Sequence, residues 1–277
     1  MIDTLVLSGG GPSGIAYVGV FKALFEKNIL KEDLSNIKEI MTTSVGIIFA
    51  IMYMIKLTDS QIREIVYRIN GNEILDMEDI NIDNLLLEFG LFDNSKIKTY
   101  IDSFLKHTLL KEDLTLGELY EKVSITLTVK VYNVTKRRIE YINHKNHPDI
   151  NVSVLAMMTT AIPLFFKPVE YNDNMYVDGG LRGGFPIESC KSDNFLGIRI
   201  LGGTSDASKI NSLSDFPLIG FLLSILTDSS DLENYDKSKI ININVNKGLN
   251  FNLSLKDKKG IIKHGYEDTI NHFKNKI

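Results

Sequence analysis

Met41-Thr42-Thr43-Ser44-Val45-Gly46 is the stretch that decides the predicted fold. A β-branched and apolar run, residues 37 to 43, leads into it, and an apolar helical run, residues 45 to 57, leads out. A serine between a buried strand and a helix, with a glycine two positions later, is typical of the nucleophile elbow G-x-S-x-G, whose turn lifts the hydroxyl above the sheet. Thr42 stands where the pattern has its first glycine. We expect the Thr42 side chain to turn away from the helix and to leave the elbow geometry intact.

The order of the predicted elements around this elbow indicates an α/β fold. A short apolar strand at residues 4 to 7, a glycine-rich turn and a helix from 15 to 27 precede the elbow strand. Units of this kind build parallel sheets with right-handed crossovers. Later strands are predicted at residues 123–132, 138–143, 169–171, 175–177, 195–201 and 240–245, and later helices within 58–116 and at 153–160, 216–226 and 256–274. We predict a three-layer α/β/α fold with a mainly parallel central sheet, in a single domain over residues 1–277.

Composition and charge narrow the classes of function. The chain of 277 residues is 44% hydrophobic and 24% charged, as is usual for a globular protein, and its net charge is -4. This charge provides no basic footprint for nucleic acid, so we expect no nucleic-acid partner. The only cysteine, Cys190, excludes an intramolecular disulfide and favours a reducing compartment. We see no signal peptide and no apolar run near the ~20 residues that span a bilayer, so we expect a cytoplasmic or intracellular protein, peripheral at membranes.

The glycine-rich turn at residues 9 to 14, Gly-Gly-Gly-Pro-Ser-Gly, has two interpretations. It matches the dinucleotide fingerprint G-x-G-x-x-G between a strand and a helix. That fingerprint needs an acidic residue at the end of the second strand, whereas Glu32 and Asp33 lie in the connector before it. Successive glycines can instead turn several backbone N–H groups toward one point, as an oxyanion hole requires. We favour the oxyanion hole, and a nucleotide-binding module stays open as the alternative.

A base for Ser44 is the next requirement, because a serine hydroxyl is a weak nucleophile until a neighbouring group takes its proton. The histidines are His107, His144, His147, His264 and His272. None stands at a predicted strand end with a turn signature, although a Ser-His-Asp triad stays open. Asp178 does end a short apolar strand, and Gly179 and Gly180 follow it. Its carboxylate would act on Ser44 directly, and the alternative for this motif is a plain Asp-Gly turn.

Together these three stretches resemble the patatin-like phospholipase family of lipid acyl hydrolases. Residues 9 to 14 look like the oxyanion loop of that family, residues 42 to 46 like its elbow, and residues 178 to 180 like its D-G-G/A motif. The order and separation of the motifs fit from Leu5 to about Pro186.

The resemblance implies a Ser-Asp dyad that works without histidine, metal or cofactor. Ser44 would be the nucleophile that carries the acyl group, Asp178 would be the base, and water would release the fatty acid. The oxyanion would be held by N–H groups of Gly9, Gly10 and Gly11. The elbow and loops would be supported by Gly14, Val45, Gly46, Gly179 and Gly180. The implied partner is a lipid substrate at a membrane or micelle surface.

The sequence departs from the family pattern at Thr42, at Ser13 in place of a basic residue, and at Gly184 in place of asparagine. None of these changes removes a reacting group. They leave open the alternative of a catalytically weak or non-catalytic lipid-binding homologue. Residues 164–167 and 216–226 are apolar enough to contact a membrane, although burial in the core is the favoured interpretation of both.

Overall fold

The computed structural model describes residues 1–70, 87–109, 111–201, 232–245 and 250–274. Its strands are β1 (Thr4–Leu7), β2 (Glu39–Thr42), β3 (Gly90–Phe92), β4 (Thr126–Asn133), β5 (Arg138–Ile142), β6 (Leu164–Phe166), β7 (Val169–Tyr171), β8 (Asn174–Asp178), β9 (Phe195–Leu201) and β10 (Ile240–Asn244). Its α-helices are α1 (Ala16–Glu26), α2 (Gly46–Met54), α3 (Asp59–Arg68), α4 (Ser95–Leu109), α5 (Leu116–Val123), α6 (Val152–Thr160) and α7 (Leu255–Lys274). The helix predicted at residues 216–226 lies outside the described residues.

The central sheet has the strand order β10-β9-β1-β2-β4-β8-β7, and β5 pairs with β4. All pairs from β10 to β4 are parallel, whereas β5, β8 and β7 run antiparallel to their neighbours. The predicted α/β fold with a mainly parallel central sheet is therefore confirmed. The elbow strand β2 lies near the centre of this order, where parallel sheets are covered on both faces.

Successive side chains of the central strands are buried on opposite faces of the sheet. Leu5 and Leu7 of β1 face the large apolar cluster that includes helices α1 and α2. Val6, between them, faces a smaller cluster with Phe185 and Ile187 on the other side of the sheet. Both faces are covered, as the predicted three-layer architecture requires.

One strand of a second, two-stranded sheet lies within the region where the sequence pattern indicated helices. Strand β3 pairs in parallel with β6, with Gly90 opposite Leu164 and Phe92 opposite Phe166. Each of these strands has only three residues, which is too short for a period-2 pattern to stand out. The prediction of helix alone over residues 58–116 was wrong at β3, and it was correct for α3 and α4.

Helices α1 and α7 cross in backbone contact. A Cβ atom built on Gly19 would lie 1.9 Å from the carbonyl oxygen of Ile262, and one built on Gly265 would lie 2.2 Å from that of Ala16. Because α1 follows the glycine-rich turn directly, this contact fixes the helix that leads out of the turn. Among the helices within the described ranges, none is long and apolar enough to cross a membrane.

Candidate active site

Ser44 occupies a strained turn between β2 and α2. Its φ angle is 51°, in the left-handed region that residues other than glycine seldom adopt. Its backbone N–H donates to Thr159 Oγ1 at 2.8 Å, and only 8% of the residue is exposed. A strained serine held in this way between a buried strand and a helix has the geometry of a nucleophile elbow.

Thr42 points toward helix α2, so the expectation that its side chain turns away was wrong. A Cβ atom built on Gly46, the first residue of α2, would lie only 2.2 Å from Thr42 Oγ1. The threonine therefore finds its room in the space that Gly46 leaves. Thr42 Oγ1 is buried and has no hydrogen-bond partner among the described residues. The left-handed conformation of Ser44 is nevertheless kept.

Asp178 is the last residue of β8 and lies opposite Val131 of β4. It is 1% exposed, and its Oδ1 accepts a hydrogen bond from Gly180 N at 2.7 Å. Burial raises the pKa of Asp178 to about 6, and hydrogen bonds from the Ser44 hydroxyl and the Gly180 N–H, with the charge of Lys130, act in the opposite direction. The fold thus brings the Asp178 carboxylate and the Ser44 hydroxyl together, and no histidine is among the groups that act on Asp178.

The glycine-rich turn lies against the elbow. A Cβ atom built on Gly9 would lie 3.0 Å from Ser44 Cβ and 3.6 Å from Ser44 Oγ. The Gly9 N–H donates to Gly184 O at 2.8 Å. Because this N–H is already hydrogen-bonded within the chain, its predicted role as an oxyanion donor is corrected. Gly10 and Gly11 are left as the candidate donors of the loop, and Gly11 has a φ of 51° that glycine adopts without strain.

The predicted support residues lie around these groups. Gly14 and Val45 pack together, since a Cβ atom on Gly14 would lie 2.6 Å from Val45 Cγ1. Gly179 packs on β4, where an added Cβ atom would lie 2.4 Å from the Lys130 carbonyl oxygen. The absent side chains let the Asp178 turn and the glycine-rich turn approach the sheet closely.

An apolar cavity of about 140 Å³ opens beside Ser44. Gly11 and Ser44 line it at one side, with apolar side chains that include Ile48, Phe49 and Phe166. Phe166 is 2% exposed, and its neighbour Phe165 stacks on Phe251 at 5.4 Å between ring centroids. Of residues 164–167, Phe166 is therefore buried and the others are half-buried, while residues 216–226 lie outside the described part of the chain.

A family model described as a patatin-like phospholipase matches residues 5–191 of the sequence. The chain belongs to the patatin-like phospholipase family. The match includes the glycine-rich turn, the elbow and Asp178 of the patatin-like chain.

Relatives and solved structures agree with this membership. A probable lipid hydrolase, 463L of Invertebrate iridescent virus 6, is 26% identical over 185 residues, which are 67% of this chain and 62% of that protein. An uncharacterized protein, R571 of Acanthamoeba polyphaga mimivirus, is 26% identical over 95% of this patatin-like chain and 91% of its own length.

Solved structures share the patatin-like fold at low sequence identity. VipD from Legionella pneumophila matches with a TM-score of 0.62 and 17% identity, over 99% of this chain and 67% of that one. The type III effector ExoU matches with a TM-score of 0.56 and 15% identity, over 99% of this chain and 53% of that one. The patatin-like chain thus spans about half to two thirds of the length of these proteins.

Sequence reasoning missed two residues that support the patatin-like site. Thr159 of α6 accepts from the Ser44 N–H and donates to Lys130 O at 2.8 Å. Lys130 of β4 is fully buried. The available signal was a lysine in the middle of a strand of alternating β-branched residues, on the face it shares with Thr126 and Thr128. A polar face of that kind normally predicts exposure to solvent.

The described part of the patatin-like chain contains no group of three or more His, Cys, Asp and Glu residues that could hold a metal ion. Asp33, considered above for a nucleotide ribose, accepts a hydrogen bond from Ser35 N in an exposed connector. It does not stand at the end of β2, which ends at Thr42. The arrangement at Ser44 therefore favours covalent acyl chemistry over nucleotide binding.

Proposed function

We propose that this protein is a lipid acyl hydrolase, a serine carboxylic-ester hydrolase of phospholipase A type. Ser44 is its nucleophile and Asp178 its base. The observation that carries the proposal is a buried carboxylate, Asp178, together with a serine in a left-handed elbow, Ser44, whose hydroxyl lowers the pKa of Asp178. Its raised pKa, about 6, suits a general base near neutral pH.

In the proposed first half-reaction, Asp178 takes the proton of Ser44 Oγ while that oxygen attacks the ester carbonyl carbon. The N–H groups of Gly10 and Gly11 hold the oxyanion of the tetrahedral intermediate. When the intermediate collapses, the C–O bond to the alcohol breaks and the alcohol takes the proton from Asp178. The acyl group remains on Ser44 as an ester.

In the second half-reaction, Asp178 takes a proton from a water molecule that attacks the acyl-enzyme. The bond to Ser44 Oγ then breaks, Ser44 regains its proton from Asp178, and the fatty acid leaves. The apolar cavity beside Ser44 supports a lipid as substrate, because an acyl chain needs apolar walls at the reacting carbonyl. A membrane or micelle surface would supply that lipid.

The test combines active-site labelling with turnover. A fluorophosphonate should label Ser44, as read by peptide mass spectrometry, and the protein should release fatty acid from phospholipid micelles. Ser44→Ala and Asp178→Asn should each lower that release by at least about 10³-fold, because the dyad acts as a unit. Ser35→Ala and Asp33→Asn are matched controls in an exposed loop and should keep full activity. Full activity in both dyad variants would overturn the proposal.

A non-catalytic lipid-binding homologue is the second candidate. The unpaired buried hydroxyl of Thr42 beneath the elbow favours it, because such a group costs stability at the site where the nucleophile must be held. It predicts binding to phospholipid vesicles without fatty-acid release, and the binding would be unchanged in Ser44→Ala.

We also propose that residues 1–277 form a single patatin-like domain. The backbone contact between α1 and α7 supports this, because α7 lies beyond residues 5–191 that match the family. An intracellular location with peripheral membrane contact stays a prediction from the single cysteine.

A further inference from the structure

A lysine with no exposed surface lies beneath the proposed dyad. The Lys130 ammonium donates to the carbonyl oxygens of Arg182 and Gly183, each at 2.8 Å, and to Glu188 Oε1 at 2.5 Å. An ammonium group taken out of water is costly unless it is paired and hydrogen-bonded in this way. The Lys130 ammonium therefore has a hydrogen-bond acceptor for each of its three protons. The free-energy cost of burying a charge here indicates a role beyond packing.

The backbone of the same residue holds the elbow. The Lys130 carbonyl oxygen accepts from Thr159 Oγ1 at 2.8 Å and from Thr43 Oγ1 at 3.2 Å. Thr159 Oγ1 accepts from the Ser44 N–H, so one hydroxyl joins Lys130 to the nucleophile. A movement of β4 at Lys130 would be passed to Ser44 through these hydrogen bonds.

The side chain of Lys130 holds the opposite wall of the site. Its ammonium fixes the carbonyls of residues 182 and 183, and the next carbonyl, that of Gly184, accepts the N–H of Gly9 at 2.8 Å. Gly9 lies directly against Ser44. The segment from 182 to 184 is thus the link between Lys130 and the glycine-rich turn.

We propose that Lys130 is a positioning residue for the Ser44–Asp178 dyad, which it serves by fixing the 182–184 segment against the glycine-rich turn and by placing a positive charge beside the Asp178 carboxylate. This inference rests on the hydrolase function proposed above. It adds a residue that touches no substrate atom and acts through the loops on both sides of the nucleophile.

The charge of Lys130 determines the direction in which a substitution there should shift the pKa of Asp178. Its positive charge lowers the pKa of Asp178, against the burial that raises it. The Glu188 carboxylate forms an ion pair with the Lys130 ammonium, and it also accepts a hydrogen bond from the hydroxyl of Tyr141. Arg182 contributes its carbonyl to Lys130, and its guanidinium lies 6.0 Å from the ring of Tyr132. Loss of the Lys130 charge should therefore raise the pKa of Asp178.

The experiment measures pH profiles of kcat/KM in matched variants. Lys130→Met keeps the length of the stem and removes the charge, and kcat should fall about 10–100-fold with KM little changed, because the reacting groups are misplaced. The acidic limb of the kcat/KM profile of Lys130→Met should move to higher pH. Lys130→Arg keeps the charge and should leave the acidic limb in place. Lys98→Met is the control, since Lys98 pairs with Asp102 and Asp113 away from the site.

The proposal is overturned if folded Lys130→Met keeps the kcat and the acidic limb of the unchanged protein, or if Lys130→Arg moves the limb as far as Lys130→Met does. If Lys130→Met does not fold, Lys130→Gln takes its place, and an unchanged kcat and acidic limb in that variant overturn the proposal. A carbon-13 NMR titration of Asp178 reports the same pKa changes without turnover. A protein that shows these changes but hydrolyses no lipid would contradict the proposed function alone.

Discussion

Thr42 Oγ1 occupies the space that a side chain at position 46 would need, since a Cβ atom on Gly46 would lie 2.2 Å from that oxygen. The pair explains how the elbow accommodates threonine in place of the glycine of the family pattern. Gly46, the second glycine of the pattern, leaves the space that the threonine side chain at position 42 occupies. Position 46 should consequently be the less tolerant of the two.

Gly46→Ala should lower the free energy of unfolding by about 1–3 kcal/mol, the usual cost of overpacking a filled interior. Thr42→Ala should restore part of that loss in the double variant, because the closest atom is removed while Ser8 O remains 2.9 Å from the new Cβ. Urea unfolding of the four proteins measures the coupling. Additive effects in this double-mutant cycle would contradict the proposed contact.

Asp178→Asn should stabilise the protein at the expense of activity. The pKa of Asp178 is about 6 in the folded protein, against 3.8 for a free aspartate carboxyl. Between these values the folded state binds more protons than the unfolded state, so stability falls as the pH rises through that window. The amide removes this cost and should add about 3 kcal/mol at pH 8 and about 0.5 kcal/mol at pH 4. Equal stability of the two proteins at pH 8 would contradict the burial of a charged carboxylate.

The pH dependence of hydrolysis should show an acidic limb near pH 6. Asp178 can accept the Ser44 proton only when it is ionised, so kcat/KM should fall about tenfold for each pH unit below its pKa of about 6. The measurement uses a water-soluble ester over a range in which circular dichroism shows the protein folded. A rate that stays constant down to pH 4.5 would exclude Asp178 as the base.

Thr159→Val should slow the reaction more than it unfolds the protein. The change leaves the Ser44 N–H without its acceptor, and we expect a fall in kcat of about 10–100-fold from misplacement of the nucleophile. Thr269→Val is a matched control, because Thr269 is equally buried and donates to Gly265 O within α7. Equal rates in these two variants would show that Thr159 does not position the elbow.

Gly265→Ala and Gly260→Ala on helix α7 should have opposite effects. A Cβ atom on Gly265 would meet Ala16 O at 2.2 Å, whereas one on Gly260 meets nothing within 4 Å. We expect the first change to destabilise the protein by about 2 kcal/mol. The second should stabilise it by about 0.5–1 kcal/mol, as alanine in an open helix position does. Urea midpoints measure both, and a neutral Gly265→Ala would argue against the close crossing of α1 and α7.

The sequence predicted those features that depend on local pattern. Ser44 and Asp178 were recognisable because each stands where an apolar strand meets glycine, and the parallel sheet followed from the alternation of strands and helices. The three-residue strands β3 and β6 were missed because they carry too few residues to show a period.

Features set by tertiary contact could not be predicted in this way. The direction of the Thr42 side chain depends on the room at Gly46, and the commitment of the Gly9 N–H depends on a carbonyl at Gly184. Lys130 lies on the polar face of the alternating β4 pattern, which normally predicts exposure to solvent. Its burial depends on the segment from 182 to 188, which folds over it and supplies its acceptors.

The place of β1 in the sheet has a consequence for synthesis of the protein on the ribosome. β1 lies between β2 and β9, and Ser8, at its end, donates its N–H to Ile198 O and accepts from Ile200 N. The glycine-rich turn begins at the next residue, so its support arrives about 190 residues later in the chain. A nascent chain that already carries Ser44 therefore lacks the strand that fixes the turn, and the proposed hydrolase should gain its activity only after β9 has been synthesised.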